Sequence, residues 1–375
     1  MGSRTHSSQF RTENRKRFQA SRRTRCGRGG SVRANKGCDG VRQLALRAAK
    51  HVKMIRDLVD KVIEAPVVTS FSRVGYEVRS RVDGWKPVSS YDLTGRVIVV
   101  TGGTSGIGFA AARDFAAAGA TLLITGRRAE KNRAAVRELM AATSNQRISQ
   151  ITADMGELDE VRILAEECLA SFDRLDVLVH NAGALINPRQ TTTTGAEVTI
   201  ASQVVGPFLL TRLLLDRLRK TGGARVLTMS SGGMYGAALS VSNLVMPAAS
   251  YNGTKQYAKA KRAQVTLNEM WATRHPEMTF HALHPGWVDT PGVDDAIPGF
   301  ARLMGPVLRT PAQGADTLVW LASDAEPARS NGKFWHDRKQ RSIHKIPATR
   351  NADTPEERQA LWDWVATRAI TGHSP

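Results

Sequence analysis

Two tyrosines in this chain are each followed, four residues on, by a lysine: Tyr251 with Lys255, and Tyr257 with Lys261. On a helix such a pair shares one face. A cation held there lowers a phenol's pKa from about 10 toward neutrality, so the hydroxyl can exchange a proton with a substrate oxygen. Local composition separates the two. Asn252-Gly253, directly after Tyr251, is a turn signal and a poor helix interior. Tyr257-Ala-Lys-Ala-Lys261 instead opens an unbroken helical stretch to Trp271. Tyr257 is the expected acid/base and Lys261 the group that tunes it. Upstream stand Ser230 and Ser231, either of which could hydrogen-bond a substrate oxygen and hold charge developing there.

A second constellation suits phosphate. Thr101-Gly-Gly-Thr-Ser-Gly-Ile-Gly108 joins the apolar run Val97–Val100 to a helical pattern reaching Phe115. Gly102, Gly106 and Gly108 permit a tight turn and let backbone N–H groups approach a pyrophosphate at a helix N-terminus. Gly102, Thr104, Ser105, Gly106, Ile107 and Gly108 are therefore candidate cofactor contacts. At the end of the next apolar run, an acid would bind the ribose 2′-OH of NAD. The chain reads Thr125-Gly126-Arg127-Arg128 there. Arg127 and Arg128 suit a 2′-phosphate, which points to NADP(H); the plainer reading is a solvated pair opening a helix.

The elements that must position these residues alternate. Short apolar runs at Val97–Val100, Leu122–Thr125, Ile148–Ala153, Val177–Val179, Arg225–Met229, Thr279–Leu283 and Lys333–Trp335 read as about seven strands. Between them lie helical patterns at Ala129–Ala142, Leu158–Phe172, Val198–Leu218, Gln256–Thr273 and Gln313–Ala322. Alternation of this kind predicts an α/β fold, a Rossmann-type doubly wound parallel sheet with helices on both faces, in one domain. The candidate residues fall just after strands, where such sheets bind ligands. No apolar run is read as long enough to span a membrane. Domain boundaries follow: residues 1–53 a basic arm, 54–90 an amphipathic helical lead-in, 91–340 the sheet domain, 341–375 an extension with a helix starting near Thr354.

In this order of motifs the chain resembles the short-chain dehydrogenase/reductase (SDR) family over residues 90 to 340. The shared features are the glycine turn, Asp154 after the third strand, Asn181-Ala182-Gly183 after the fourth, Ser231 after the fifth, Tyr257-x-x-x-Lys261 and Pro285-Gly286 after the sixth. Ser230–Met234, His284–Val293 and Asp337-Arg-Lys339 resemble the subgroup called SDR family member twelve. The resemblance implies hydride transfer between nicotinamide and a carbonyl/alcohol pair. It prefers Ser231 over Ser230 and makes Lys261 a ribose ligand as well. It also implies that Asp154 and Met155 lie by the adenine, that Asn181 to Gly183 pack beside the cofactor, and that Thr290 meets the nicotinamide amide; on local grounds Asp154 would be a helix cap and Thr290 a loop residue. One position departs from the family. Gln203 stands where a catalytic Asn is usual, moving the amide by about one methylene and putting the proton relay in question. His180 replaces the first Asn of the usual Asn-Asn-Ala-Gly, with a structural role expected. The family further implies a homo-oligomer formed through long helices.

Composition bounds the rest. The chain has 375 residues, 41% hydrophobic and 23% charged, and a net charge of +19. Residues 1–53 hold 15 Lys and Arg against Glu13 and Asp39, so +13 of that charge belongs to this arm. The arm is expected to be disordered. It reads as a solvated tail or a wrongly called start with Met54 the working initiator, as an organelle-targeting segment, or as an arm for nucleic acid or anionic lipid, with nucleic acid not the favoured partner. Met54, Ile55, Leu58, Val59, Val62 and Ile63 share one helical face, which packs on the domain or rests on a membrane through 54–65. Cys26, Cys38 and Cys168 have no metal or disulfide spacing, which favours a reducing, cytoplasmic setting and no metal. Apolar residues at Met234–Met246 and Ile297–Met304 suggest a lipophilic small-molecule substrate, or plain packing.

Overall fold

The computed structural model describes residues 33–290 and 304–371. The chain divides into two compact units, residues 1–59 and 60–375. The described part of the first lies within helix α1, Arg33–Glu64. That helix begins inside the segment expected to be a disordered arm, because Val41–Ala49 already carries helix-forming Leu, Ala, Gln and Arg. Residues 1–32 lie outside the described residues.

The second unit is built on one sheet of eight strands: β1 Val97–Thr101, β2 Thr121–Gly126, β3 Ile148–Thr152, β4 Val177–His180, β5 Arg225–Met229, β6 Thr279–Leu283, β7 Lys333–His336 and β8 Lys339–Arg341. Their order is β3-β2-β1-β4-β5-β6-β7-β8, all neighbours parallel except the β7–β8 hairpin. The eighth strand exceeds the seven expected; at three residues, Lys339-Gln-Arg341, it has no apolar run to announce it.

The helices of the sheet domain are α4 Gly106–Ala117, α5 Ala129–Thr143, α6 Leu158–Ser171, α7 Gly206–Thr221, α8 Gly253–Arg274, α9 Pro311–Ser323 and α10 Pro355–Thr371. Two more, α2 Val67–Phe71 and α3 Arg73–Val82, precede the sheet. Alternate side chains of β1 bury into opposite layers: Val97 and Val99 meet α6, α7, α8 and α10, while Ile98 and Val100 meet α4, α5 and α9. Both faces are covered, which is why β1 is apolar throughout. The strand order reverses between β1 and β4, so their carboxyl ends flank the crevice where such sheets bind ligands.

Two helical stretches depart from the expected pattern. The helix read over Val198–Leu218 contains a π turn, Ala201–Val205, between the short helix Val198–Ile200 and α7. Taken whole, Val198–Thr221 is long and apolar enough to cross a membrane, against expectation, yet 72% of its most apolar stretch is buried inside the fold. Helix α8 starts at Gly253, earlier than Gln256: the Asn252 side chain accepts a hydrogen bond from the Lys255 amide at 3.0 Å and caps it. Asn252-Gly253 is thus the start of the helix that carries Tyr257 and Lys261.

Candidate active site

The glycine turn sits on the carboxyl end of β1, and a single hydroxyl ties it to β4. Thr101 Oγ1 accepts from the amides of Asn181 and Ala182 at 3.1 Å each and donates to Val179 O at 3.2 Å. Asn181 Nδ2 donates back to the carbonyls of Thr101 and Gly102, both at 3.1 Å. Gly102 and Gly106 have φ of 67° and 55°, the left-handed region that favours glycine. A Cβ at Gly108 would overlap the Gly102 carbonyl and the Asn181 amide, so only glycine allows α4 to approach this closely. Thr290 closes over the turn: its Cγ2 would lie 3.2 Å from a Cβ at Gly106. Ser105 is exposed at the N-terminus of α4, whereas Ile107 packs into the core beneath.

At the end of β2, a Cβ on Gly126 would lie 3.0 Å from Thr104 Cγ2, so Thr104 stands over that strand. Arg127 and Arg128 follow, both exposed. Arg127 Nη1 lies 3.7 Å from Asp154 Oδ2, while Asp154 Oδ1 accepts from the Gly156 amide at 2.8 Å. Asp154 thus shapes its own loop and holds one arginine near the strand edge. The Met155 side chain is in the core, 3% exposed, and its carbonyl abuts Gly206.

Across the switch point lies the second constellation. The Ser231 hydroxyl lies by Tyr257 and works against burial; burial wins and pushes the phenol up to about 12. Lys261, one helical turn on, has Nζ 5.1 Å from the Tyr257 ring centre and donates to Met229 O at 3.0 Å. It is 2% exposed, and burial lowers its ammonium to about 7. Ser230 is buried with its hydroxyl committed to Lys261 O at 3.1 Å, leaving Ser231, half-buried, as the serine beside the tyrosine. Tyr251 is engaged elsewhere: its hydroxyl donates to Ile186 O at 3.0 Å and lies 3.1 Å from Glu197 Oε1.

Gln203 occupies the π turn and is 1% exposed. Its Nε2 donates to Ala184 O at 2.7 Å, its Oε1 has no partner, and a Cβ on Gly183 would lie 3.0 Å from that oxygen. Among the described residues neither amide atom bonds Lys261. His180 is fully buried at the end of β4, hydrogen-bonded to Thr211 Oγ1 at 2.7 Å; burial lowers it to about 3, so the ring is neutral.

Four participants escaped the reading of the sequence. Thr101 is one. Gln264 is another: its Nε2 donates at 2.7 Å to Gln203 O, a carbonyl in the π turn. The third and fourth lie beneath Pro285-Gly286. Gly286 has φ of 84°, and the Arg309 guanidinium packs where its Cβ would be. Arg309 donates to Pro285 O at 3.2 Å and to Asp337 at 2.5 and 2.9 Å. Phe71, from the lead-in, stacks edge-on to His284 at 4.2 Å and presses on Gly232, next to Ser231. Nothing short of the fold brings residues 71, 232, 284 and 309 together.

The loop over Gly232–Ser250 turns its apolar side chains inward: Met234, Leu239, Leu244 and Met246 are all buried. Packing accounts for them, so they carry no sign of a lipophilic substrate. Of Ile297–Met304, only Met304 lies among the described residues.

The family model described as "short chain dehydrogenase" matches residues 96–298. The chain is a member of the short-chain dehydrogenase/reductase family. It is similar to human "Dehydrogenase/reductase SDR family member 12", 39% identical over 270 residues covering 72% of this chain and 85% of the relative. It is also similar to "Retinol dehydrogenase 12" of Bos taurus, 33% identical over 277 residues, covering 72% and 85%. Among solved structures, a short chain dehydrogenase from Burkholderia cenocepacia J2315, in complex with NADP, has a TM-score of 0.53 at 25% identity, covering 64% of this chain and 96% of that one. This is an oxidoreductase family, and the SDR core carries the glycine turn and the Ser231, Tyr257 and Lys261 cluster at one edge of the sheet.

Proposed function

We propose that this SDR oxidoreductase is NADP(H)-dependent and interconverts a carbonyl and an alcohol on a lipophilic small molecule. The observation that carries the reading is the placing of the Ser231 hydroxyl beside Tyr257, with Lys261 Nζ 5.1 Å from the Tyr257 ring centre, across the switch point from the glycine turn. The cradle suits a dinucleotide. Left-handed glycines leave room where side chains would intrude, and Arg127 and Arg128 are exposed beside Asp154 at the edge of β2. Lys261, with one hydrogen bond for three donors, has capacity for ribose hydroxyls.

The bound nicotinamide supplies or accepts the hydride. The residues of this chain handle the proton and the charge. In the reducing direction Ser231 donates to the substrate oxygen and Tyr257 passes its proton to that oxygen as the alcohol forms. A charged Lys261 stabilises the resulting phenolate. Gln203 holds the Ala184 carbonyl and so shapes the Asn181–Ala184 segment. The lipophilic class is supported by the retinol dehydrogenase relative.

The test is NADPH consumption over a panel of ketones and aldehydes that includes retinal, with Tyr257→Phe as control. Turnover that Tyr257→Phe removes is the expected result. Gln203, pinned to Ala184 and unbonded to Lys261, favours a second reading as a dinucleotide-binding sensor. NADPH binding with no turnover across the panel would establish that one instead.

A further inference from the structure

Among the described residues, the stretch 52–59 of helix α1 has an exposed apolar side. At 100° per residue, Val52, Met54, Ile55, Leu58 and Val59 fall within one arc of about half the helix circumference. Val52 is 48% exposed, Met54 61%, Ile55 56% and Leu58 62%. These are large hydrophobic side chains left in water together, where a soluble surface scatters them singly. The opposite arc carries Lys50, Lys53 and Arg56, all charged and spaced three apart. Within residues 46–59 the only acid is Asp57.

We propose that α1 lies on an anionic lipid bilayer, with Met54, Ile55 and Leu58 inserted at the headgroup boundary and the bases against the phosphates. An exposed apolar arc backed by Lys and Arg is what an interfacial helix needs. The preceding sequence strengthens the electrostatic half, since residues 1–53 carry 15 bases against two acids. Charge also argues against the other occupants. A second copy would bring a like-charged helix against the first. A nucleic acid would satisfy the bases and leave the apolar arc in water. A bilayer with acidic headgroups meets both requirements at once. The inference does not rest on the catalytic reading.

Co-sedimentation of the full chain with vesicles of phosphatidylcholine, with or without phosphatidylserine, tests it. Binding to the anionic vesicles, weakened by salt, is expected. Ile55→Glu with Leu58→Glu should abolish it while the thermal unfolding curve stays unchanged, because both side chains are exposed. Neutralising Lys50, Lys53 and Arg56 to Gln should weaken partitioning roughly fivefold per base, the ordinary worth of a base at an anionic surface. Absence of vesicle binding by the parent, or equal binding by the Ile55→Glu/Leu58→Glu chain, overturns the proposal. So does self-association, or nucleic-acid binding, that these substitutions remove while vesicles never bind.

Discussion

At Tyr257, burial and the neighbouring Ser231 hydroxyl pull the phenol in opposite directions, and in the structure burial prevails. The same burial depresses Lys261 to about 7 from its ordinary value of 10.5. The consequence for stability has a definite sign. Between about pH 7 and 10.5 the unfolded chain binds the proton that the folded chain has released, so this lysine makes stability rise with pH across that window. Lys261→Met should remove that slope, read from denaturation midpoints at pH 6, 8 and 10. Tyr251 and Tyr257 should part company in kinetics: Tyr257→Phe loses turnover. Tyr251→Phe keeps it and loses about 1 kcal/mol of stability with its hydrogen bonds to Ile186 and Glu197. Arg127→Ala with Arg128→Ala should weaken NADPH roughly 10- to 100-fold and NADH hardly at all, by fluorescence titration, since a charge-assisted hydrogen bond is worth about 1.5–3 kcal/mol. Arg127 and Arg128 were legible because they directly follow a strand, and Tyr257 and Lys261 because their spacing puts them on one helical face. Thr101 as the hinge between β1 and β4 was not, since a threonine hydroxyl reveals its partners only when strands pair.

The helices were legible by period and less so by their ends and irregularities. Asn252-Gly253 reads as a break because the same two residues suit a turn and a helix start; only the Asn252 side chain on the Lys255 amide decides between them. The π turn at Ala201–Val205 leaves no mark on an apolar pattern, because one extra residue per turn still buries Ala201, Val204 and Val205. Gln264 matters at this scale. It satisfies the Gln203 carbonyl inside the turn, so Gln264→Leu should distort the turn and alter the pH profile of turnover more than the affinity for NADPH. The terminal helix α10 was read from its cap alone, and its packing exceeds what a cap implies. Leu361, Val365 and Ala369 are fully buried, and Trp362 packs on Phe208 at 4.9 Å and Trp271 at 4.8 Å. Leu361→Ala should cost about 2–5 kcal/mol, read from denaturant midpoints.

Across the second unit, distant segments meet at one carboxylate. Asp337, 1% exposed, accepts from Arg79 at 2.7 Å and from Arg309 at 2.5 and 2.9 Å, and these two guanidiniums hold it well below the usual carboxylate range. It sits with Arg338 in the two-residue β7–β8 turn, both at left-handed φ of 52° and 53°, without glycine. Their ion pairs, Asp337 with the arginines and Arg338 with Asp316, hold that strained backbone in place. Asp337→Asn would leave two buried cations short of their counter-charge and should cost about 3–5 kcal/mol, with hydrogen exchange rising over residues 66–85 before the sheet centre. No pattern in sequence foretells this, because Arg79 and Asp337 are 258 residues apart. The position of α10 bears on the homo-oligomer expected from the family. It crosses α7 and α8, two long helices of the kind through which the family expectation places that association, with Arg358 also paired to Glu269 at 2.8 Å. A tethered helix competes for that face at an effective concentration of the order of millimolar, whatever the amount of protein present. Another copy of the chain, at micromolar levels, meets a face whose local ligand outnumbers it a thousandfold or so. Self-association by that route should therefore start only when α10 is cut away.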